Sequence, residues 1–412
     1  MQDLAMLKRE VEKAVEEVKI TDVHTHLFSP AFGELLLWGF DELVNYHYLI
    51  AETMRRQDMP YERFWALDKK EKCDLIWRTL FVENSPISEA CRGVLTVLQK
   101  LGLDVGARDV AAYRDYYAGL SVGEFVDKAF ALANLDCVIM TNDPFHEKER
   151  AVWLGGVDKD PRFLAALRLD GLLMSWADNY KVLQADGYEV DEGLSGKALA
   201  EVRRFLVDWI RRMDPVYMAV SLPPTFQFPE ESARGKLIRE AVLPVSREMN
   251  KPFAMMIGVK KRVNPGLGDA GDSTGKAAIE VVERLCADYP ENKFLVTMLS
   301  RENQHELAVA ARKFRNLHVF GCWWFLNNPS LIEEITRMRC ELLGLGFTPQ
   351  HSDARILDQV IYKWEHSRKI IAAVLFDKYA DIARTGWMVT PEEIKRDVAN
   401  LFGGNFWAFI ER

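Results

Sequence analysis

Short apolar runs separated by helical stretches are the feature of this sequence that most constrains its fold. Eight such runs occur, at residues 19–23, 137–143, 163–170, 216–222, 253–258, 294–300, 317–324 and 347–353. Continuous apolar runs, rather than alternating ones, are typical of parallel strands that are buried on both faces. Eight strands alternating with helices predict an α/β fold, a (β/α)8 TIM barrel. The alternative is an open doubly wound sheet, but no G-x-G-x-x-G follows the first run to favour it.

Helical periodicity accounts for most of the remaining chain. A first helix is predicted over 3–18, where Glu and Lys recur at helical spacing. Residues 28–135 are expected to form a large helical insertion after strand one, so 1–412 is interpreted as a single barrel. Further helices are predicted at 198–213, 233–249, 274–288 and 302–315. A closing helix is predicted over 390–401, where a threonine N-cap, a proline at N1 and a glutamate at N3 come together.

Composition narrows the class of protein. Of 412 residues 49% are apolar, which is enough for a substantial core and argues against disorder. The net charge of -8 argues against nucleic acid as a partner, because phosphate-backbone binding needs basic surface. The six cysteines form no C-x-x-C pair, and no apolar run is long enough to predict a membrane span. A cytoplasmic location without membrane binding is therefore expected, and the sequence leaves room for a homo-oligomer.

The motif His24-Thr25-His26 at the end of the first run is a candidate metal site. Side chains alternate along a strand, so the two imidazoles point to the same face and can bind one ion together. In a barrel the first and last strands are neighbours, so Asp353 at the end of the eighth run can join them. Two nitrogens, one oxygen and open positions are typical of a catalytic metal site. The alternative is that the two histidines fell two apart by chance on a surface strand.

The rule that active sites lie at the carboxyl ends of barrel strands selects further residues. They are Asp143, Arg168, Asp170, Ser300, Arg301, Trp323, Trp324 and Arg355. His47 and Tyr48, in the helical segment, form a plausible proton-handling pair. Several have a simpler interpretation: His47 and Tyr48 as a helix contact, Arg168 or Arg355 paired with a nearby aspartate, the tryptophans as wall packing, and Asp143 as part of a turn with Pro144. His351 stays unassigned, and no ligand role is expected for His146, His305, His318 or His366.

Together these motifs resemble the uronate isomerase (glucuronate isomerase) family of the amidohydrolase superfamily. The resemblance covers essentially the whole chain. It rests on His24-x-His26, His47-Tyr48, Arg168, the segment 321–325 and Asp353-x-Arg355. One departure is Met256, which stands on strand five where these isomerases commonly carry a histidine. A binuclear centre is therefore not expected, and the resemblance implies one divalent metal ion, expected to be zinc, bound by His24, His26 and Asp353.

The resemblance implies reversible isomerisation of D-glucuronate to D-fructuronate and of D-galacturonate to D-tagaturonate. In the implied mechanism Arg168 binds the anionic sugar acid and Tyr48, tuned by His47, shuttles protons with Asp353. Arg355 binds substrate and stabilises the enediolate, and the sequence leaves open whether Tyr48 or Asp353 takes the C2 proton. Two other functions stay open: a metal-dependent hydrolase of a lactone, ester or amide, and a non-catalytic sugar-acid binding protein.

Overall fold

A computed structural model describes residues 2–412, and within them seven parallel strands form one curled sheet. The strands pair in the order of the chain and are β1 (Ile20–Thr25), β2 (Leu135–Asn142), β3 (Phe163–Arg168), β4 (Met218–Leu222), β5 (Phe253–Ile257), β6 (Phe294–Met298) and β7 (Leu317–Val319). Every residue of β5 and β6 is buried, because helices cover the outside and the barrel core fills the inside. Seven of the eight predicted strands are therefore confirmed.

The segment 347–354 closes the sheet into a ring between β7 and β1. Four backbone hydrogen bonds make the closure, from the amide of Thr348 to the carbonyl of Val319 (3.1 Å), from Gly321 to Thr348 (2.9 Å), from Asp353 to His24 (3.1 Å) and from His26 to Ala354 (2.8 Å). This segment is the eighth predicted strand, although only one isolated bridge, Phe320 with Thr348, is regular enough to count as strand pairing. The predicted (β/α)8 barrel is thus confirmed.

Helices occupy most of the chain between β1 and β2. They are a 3-10 turn at Pro30–Leu35, α-helices at Phe40–Val44, His47–Met54, Tyr61–Ala66 and Lys69–Trp77, a π-helical turn at Arg78–Val82, and α-helices at Glu89–Lys100, Val110–Ala118 and Val122–Ala133. Asp68 and Ser121 each begin a helix with a reciprocal capping box, which satisfies amide groups that the first turn leaves free.

The remaining helices precede β1 or follow β2. The α-helices are Leu4–Glu17, Glu147–Gly155, Asp170–Leu173, Trp176–Ala185, Ala198–Met213, Ala233–Leu237, Leu243–Glu248, Glu280–Asp288, Gln304–Ala311, Pro329–Leu343, Gln359–Arg384, Pro391–Ala399 and Asn405–Glu411. Single 3-10 or π turns lie at Pro265–Gly271, Arg301–Asn303, Trp324–Leu326, Ile238–Val242 and Asn400–Gly404. The predicted closing helix is confirmed, with Thr390 and Glu393 forming its capping box. None of the helices in 2–412 is both long and apolar enough for a bilayer.

Two predicted boundaries were wrong for local reasons. The helix expected from residue 274 begins only at Glu280, because Ser273–Thr274 pairs with Val259–Lys260 in a small antiparallel ribbon after β5. The seventh strand, expected to reach residue 324, ends at Val319. Gly321 has a φ of +70°, which turns the chain away from extended backbone.

Candidate functional site

The paired histidines lie at the carboxyl end of β1, where the barrel opens. His24 is buried, whereas 22% of the His26 side chain is exposed. Their ring centroids are 5.2 Å apart and the rings are nearly perpendicular. Both imidazoles can therefore approach one small object from the same side, as their spacing predicts.

Asp353 completes this cluster from the closing segment. Its Oδ1 lies 3.6 Å from Nε2 of His24 and 3.4 Å from Nε2 of His26. The three potential ligand atoms all lie within 4.8 Å of one another. Asp353 has a φ of +51°, a left-handed conformation that is uncommon for a residue with a side chain and is often found at functional sites.

The hydrogen bonds around His24 indicate which ring nitrogen is available. The Tyr217 hydroxyl donates to the Val23 carbonyl at 2.8 Å, so its oxygen can accept a bond from Nδ1–H of His24 at 3.3 Å. Nε2 then carries the lone pair and faces Asp353. Both Nε2 of His24 and Oδ1 of Asp353 are buried without a hydrogen-bond partner in residues 2–412. Buried polar atoms are rarely left unpaired, so the cluster fits a divalent metal ion.

The charge states of the cluster also fit a cation. Burial, followed by the neighbouring His351, lowers the pKa of His24 well below its ordinary value. Burial is also the main cause of the lowered pKa of His26. Burial alone would raise the pKa of Asp353, but contact with His26 and His24 lowers it below its ordinary range. Near neutral pH the site therefore offers two neutral imidazoles and one carboxylate, the protonation states that metal binding requires.

His47 and Tyr48 begin the helix His47–Met54, and both side chains pack on the segment that follows β7. The Tyr48 ring stacks on Phe325 with centroids 5.8 Å apart, and His47 meets Trp324 edge to face at 5.9 Å. The Tyr48 hydroxyl and Nε2 of His47 are buried without a hydrogen-bond partner in the described residues.

The environment of Tyr48 keeps its phenol protonated. Burial is the main cause that raises the pKa of Tyr48 well above its ordinary value, and the charges of Tyr46 and Asp353 raise it further. Arg355 acts in the opposite direction.

The two predicted arginines have different partners. Arg168, at the end of β3, binds Asp170 through one edge of its guanidinium, with Nε to Oδ2 and Nη2 to Oδ1 both 3.0 Å. Its charge still acts on both His24 and His26, lowering the pKa of each. Arg355 lies over the face of Trp324, with its Cζ 5.9 Å from the ring centroid. Pairing with an aspartate therefore holds for Arg168, while Trp324 contacts a cation in addition to packing in the wall.

Two cavities are lined by some of the predicted residues, although not by His24, His26 or Asp353. One, of about 220 Å³, is lined by His47, Tyr48, Trp324 and Lys363. The other, of about 580 Å³, is lined by Asp143, Asp170, Ser221 and Lys261.

The remaining residues selected by the strand-end rule are less closely connected to the cluster. Asp143 lies in the wall of the second cavity, where burial raises its pKa. Arg301 is exposed and pairs with Glu334 at 3.0 Å, and the Ser300 hydroxyl donates to Glu302.

Sequence reasoning missed His351. Its ring is completely buried 5.1 Å from that of His24, and neither of its nitrogens has a hydrogen-bond partner among residues 2–412. Gly321 makes room for it, because a Cβ at position 321 would lie 1.9 Å from Cδ2 of His351. The available signal was weak: position 351 is two residues before Asp353, so both fall on the same side of an extended segment.

Comparison with known proteins gives a consistent result. No family model matches the chain, and no curated protein sequence matches it. The solved uronate isomerase of Bacillus halodurans C-125 is 60% identical, with a TM-score of 0.98 over 100% of this chain and 98% of its own. The uronate isomerase of Thermotoga maritima is 15% identical, with a TM-score of 0.77 over 100% and 99% of the two chains. The glucuronate isomerase of Caulobacter crescentus is 14% identical, with a TM-score of 0.78 over 99% and 94%.

The last two similarities show the shared fold. The first is a full-length relationship at high identity, and it agrees with the motifs His24-x-His26, His47-Tyr48 and Asp353-x-Arg355. The chain belongs to the uronate isomerase family.

Proposed function

We propose that the protein is a uronate isomerase that interconverts D-glucuronate with D-fructuronate, and D-galacturonate with D-tagaturonate. One observation carries the proposal: barrel closure brings ligand atoms of His24, His26 and Asp353 within 4.8 Å of one another, in a chain 60% identical to a uronate isomerase. The buried Tyr48 hydroxyl, which has no hydrogen-bond partner in residues 2–412, adds support. A metal-type cluster alone would fit many hydrolases. A neutral phenol within the field of Asp353 and Arg355 suits proton transfer better than activation of water.

His24, His26 and Asp353 are the residues that would hold a divalent ion. We propose that this ion is zinc, because two imidazole nitrogens and one carboxylate oxygen are typical ligands of catalytic zinc sites, which keep coordination positions free for water or substrate. A bound divalent ion would supply positive charge that orients the sugar acid and polarises its oxygens.

Arg168 is proposed to bind the anionic sugar acid. Its guanidinium is fixed by Asp170, so little side-chain freedom remains to be lost when the substrate carboxylate arrives. The planar fork of arginine matches a carboxylate with two parallel hydrogen bonds. Arg168 can serve both anions, because a guanidinium has five N–H donors.

The proton transfer uses the open-chain form of the sugar acid. A base removes the proton from C2, the electrons of that bond form the C1–C2 double bond, and negative charge develops on the oxygen at C1. A proton then adds to C1, the hydroxyl proton at C2 is transferred to the oxygen at C1, and the oxygen at C2 becomes the ketone. Tyr48 and Asp353 are proposed to handle these protons, with His47 beside the phenol.

Arg355 is proposed to bind the substrate and stabilise the enediolate. Its guanidinium is held over the face of Trp324, in a place from which its charge acts on both His26 and Tyr48. A fixed positive charge near a developing oxyanion lowers the barrier without reorganisation during the reaction.

An NMR assay of D-glucuronate and D-galacturonate in D2O tests the proposal. Formation of the corresponding ketose, with deuterium at the transferred position where the proton exchanges, is expected. The same protein is incubated with the uronate lactones and esters, since a hydrolase of the same fold would release acid there. Acid release without ketose formation would replace the isomerase by the hydrolase, and tight uronate binding with neither product would replace it by a binding protein.

The cytoplasm is the proposed location. All six cysteines are free thiols, five of them buried, and free thiols persist in a reducing compartment.

A further inference from the structure

Lys363 is a buried cation that the proposed chemistry does not use. It lies on the helix Gln359–Arg384 and is only 5% exposed. Its Nζ donates a hydrogen bond of 2.6 Å to the carbonyl of Ser352 and lies 3.4 Å from the carbonyl of Asp353. Lysine is rarely buried unless its ammonium group is paired. Here two consecutive carbonyl groups of the closing segment receive it.

The main chain of Ser352 is also held at its amide group. The amide of Ser352 donates to the Asp22 carboxylate at 2.9 Å, and the indole of Trp364 donates to that carboxylate at 2.8 Å. Asp22 lies on β1, two residues before His24, while Trp364 follows Lys363 on the helix. The helix therefore binds the main chain of Ser352 in two ways. Lys363 binds it directly, and Trp364 binds Asp22, which in turn accepts the bond from the Ser352 amide.

These contacts surround Asp353, whose backbone conformation is unfavourable. Asp353 adopts a left-handed conformation, which costs free energy for any residue with a Cβ and persists only where neighbours fix it. Asn327 also donates to the Ser352 carbonyl at 3.0 Å, but among residues 2–412 only the Lys363 side chain reaches the carbonyl of Asp353 as well. Lys363 is thus the side chain that binds the backbone on both sides of the Ser352–Asp353 peptide bond.

We propose that Lys363 is a positioning residue that fixes the main chain of Ser352 and Asp353 and so aims the Asp353 carboxylate at His24 and His26. For activity this inference rests on the proposed function. The positioning itself does not depend on it.

The test replaces Lys363 by methionine, which keeps the length of the side chain and removes the ammonium group. A displacement near 1 Å in a reacting group can cost about 10²-fold in rate, so kcat of folded Lys363→Met is expected to fall by about 10²-fold. KM should change by less than about threefold, since Arg168 and Arg355 remain in place. A purely structural role would lower the thermal midpoint but leave kcat per folded molecule unchanged.

Hydrogen exchange gives a readout that needs no activity. Amides of the segment 350–354 should exchange at least about tenfold faster in Lys363→Met, while those of the helix Leu4–Glu17 keep their parental rate. Lys369→Met is the matched control, because Lys369 lies on the same helix with an exposed side chain paired to Glu365. This control should match the parent in both measurements.

Parental kcat and parental exchange in folded Lys363→Met would overturn the inference. Should that variant fail to fold, Lys363→Gln, which keeps a neutral N–H donor, takes its place. A loss in kcat of about tenfold or more and faster exchange of 350–354 are then expected, and parental values overturn the inference. If the unaltered protein does not isomerise uronates, the proposed function fails, and the exchange measurement still decides the role of Lys363.

Discussion

The amide of Asp353 donates a hydrogen bond of 3.1 Å to the carbonyl of His24, and the two side chains approach to 3.6 Å. The same backbone contact that closes the barrel therefore assembles the candidate metal site. Because the carboxylate and the imidazoles come from opposite ends of the chain, the cluster exists only in the closed ring. Barrel folding and site formation should be one event for these three residues.

Replacing Tyr48 by phenylalanine should abolish most of the isomerase activity. The buried hydroxyl has no hydrogen-bond partner among the described residues, so its removal should cost little stability. Loss of one hydrogen bond made to the transition state costs about 2.7–4 kcal/mol, or about 10²–10³ in kcat. Steady-state kinetics with D-glucuronate measure the effect.

Tyr116→Phe is the control for that substitution. Tyr116 lies on the distant helix Val110–Ala118, where its hydroxyl accepts a bond from Lys128. This variant should keep parental kcat. Parental kcat in Tyr48→Phe would remove the phenol from the mechanism.

Replacing His26 by glutamine should weaken zinc binding. Loss of an outer-shell partner of a metal ligand already costs 10–100-fold in affinity, so loss of a ligand should cost at least about 100-fold. Competition with a chromophoric chelator measures the dissociation constant for zinc. His305→Gln, an exposed histidine at the start of another helix, should bind zinc like the parent. Equal affinity in the two variants would show that the cluster is not the zinc site.

The strands were predictable because they are continuous apolar runs buried on both faces. The last one was harder to define, since residues 347–354 make ladder bonds at only a few positions and Asp353 is left-handed. The spacing of apolar residues predicts helices and strands. It does not predict that one particular residue adopts a positive φ. The position of that carboxylate followed instead from barrel closure, which makes the first and last strands neighbours.

The groups around the cluster were less predictable than the cluster itself. Asp22 and Lys363 both bind the main chain of Ser352, and no spacing in the sequence connects them. Lys363 occupies a core-facing position of a long helix, where a pattern of apolar residues alone gives no reason for an ammonium group. Asp22 lies within the predicted first strand, where the sequence pattern gives no reason to assign it a role. Residues that act on backbone atoms carry no motif, and only the packed structure reveals them.

Replacing Arg168 by lysine should raise KM for the uronate more than it lowers kcat. Lysine keeps the charge but loses the planar fork that binds Asp170 and a carboxylate together. One lost hydrogen bond to a charged group is worth about 1.5–3 kcal/mol, which corresponds to about 10–100-fold in KM. Arg162→Lys, whose guanidinium binds Asp160 and Asp127, should keep the parental KM. A parental KM in both variants would assign substrate binding elsewhere.

The stability of the protein should depend on the ionisation of Asp358. This carboxyl is completely buried, and burial raises its pKa from 3.8 to about 6, although bonds from Tyr117 and the Gly39 amide oppose the rise. A raised pKa means that the folded state holds the proton more tightly than the unfolded state. The resulting stability is fully present below about pH 4 and is lost as the pH rises through about 6. This loss amounts to about 3 kcal/mol.

Asp358→Asn, which cannot ionise, should therefore gain stability relative to the parent by up to that amount between pH 4 and pH 7. Urea unfolding across this range measures it, with surface variant Asp381→Asn as the control. A difference between Asp358→Asn and the parent that stays constant with pH would show that this carboxyl does not titrate there.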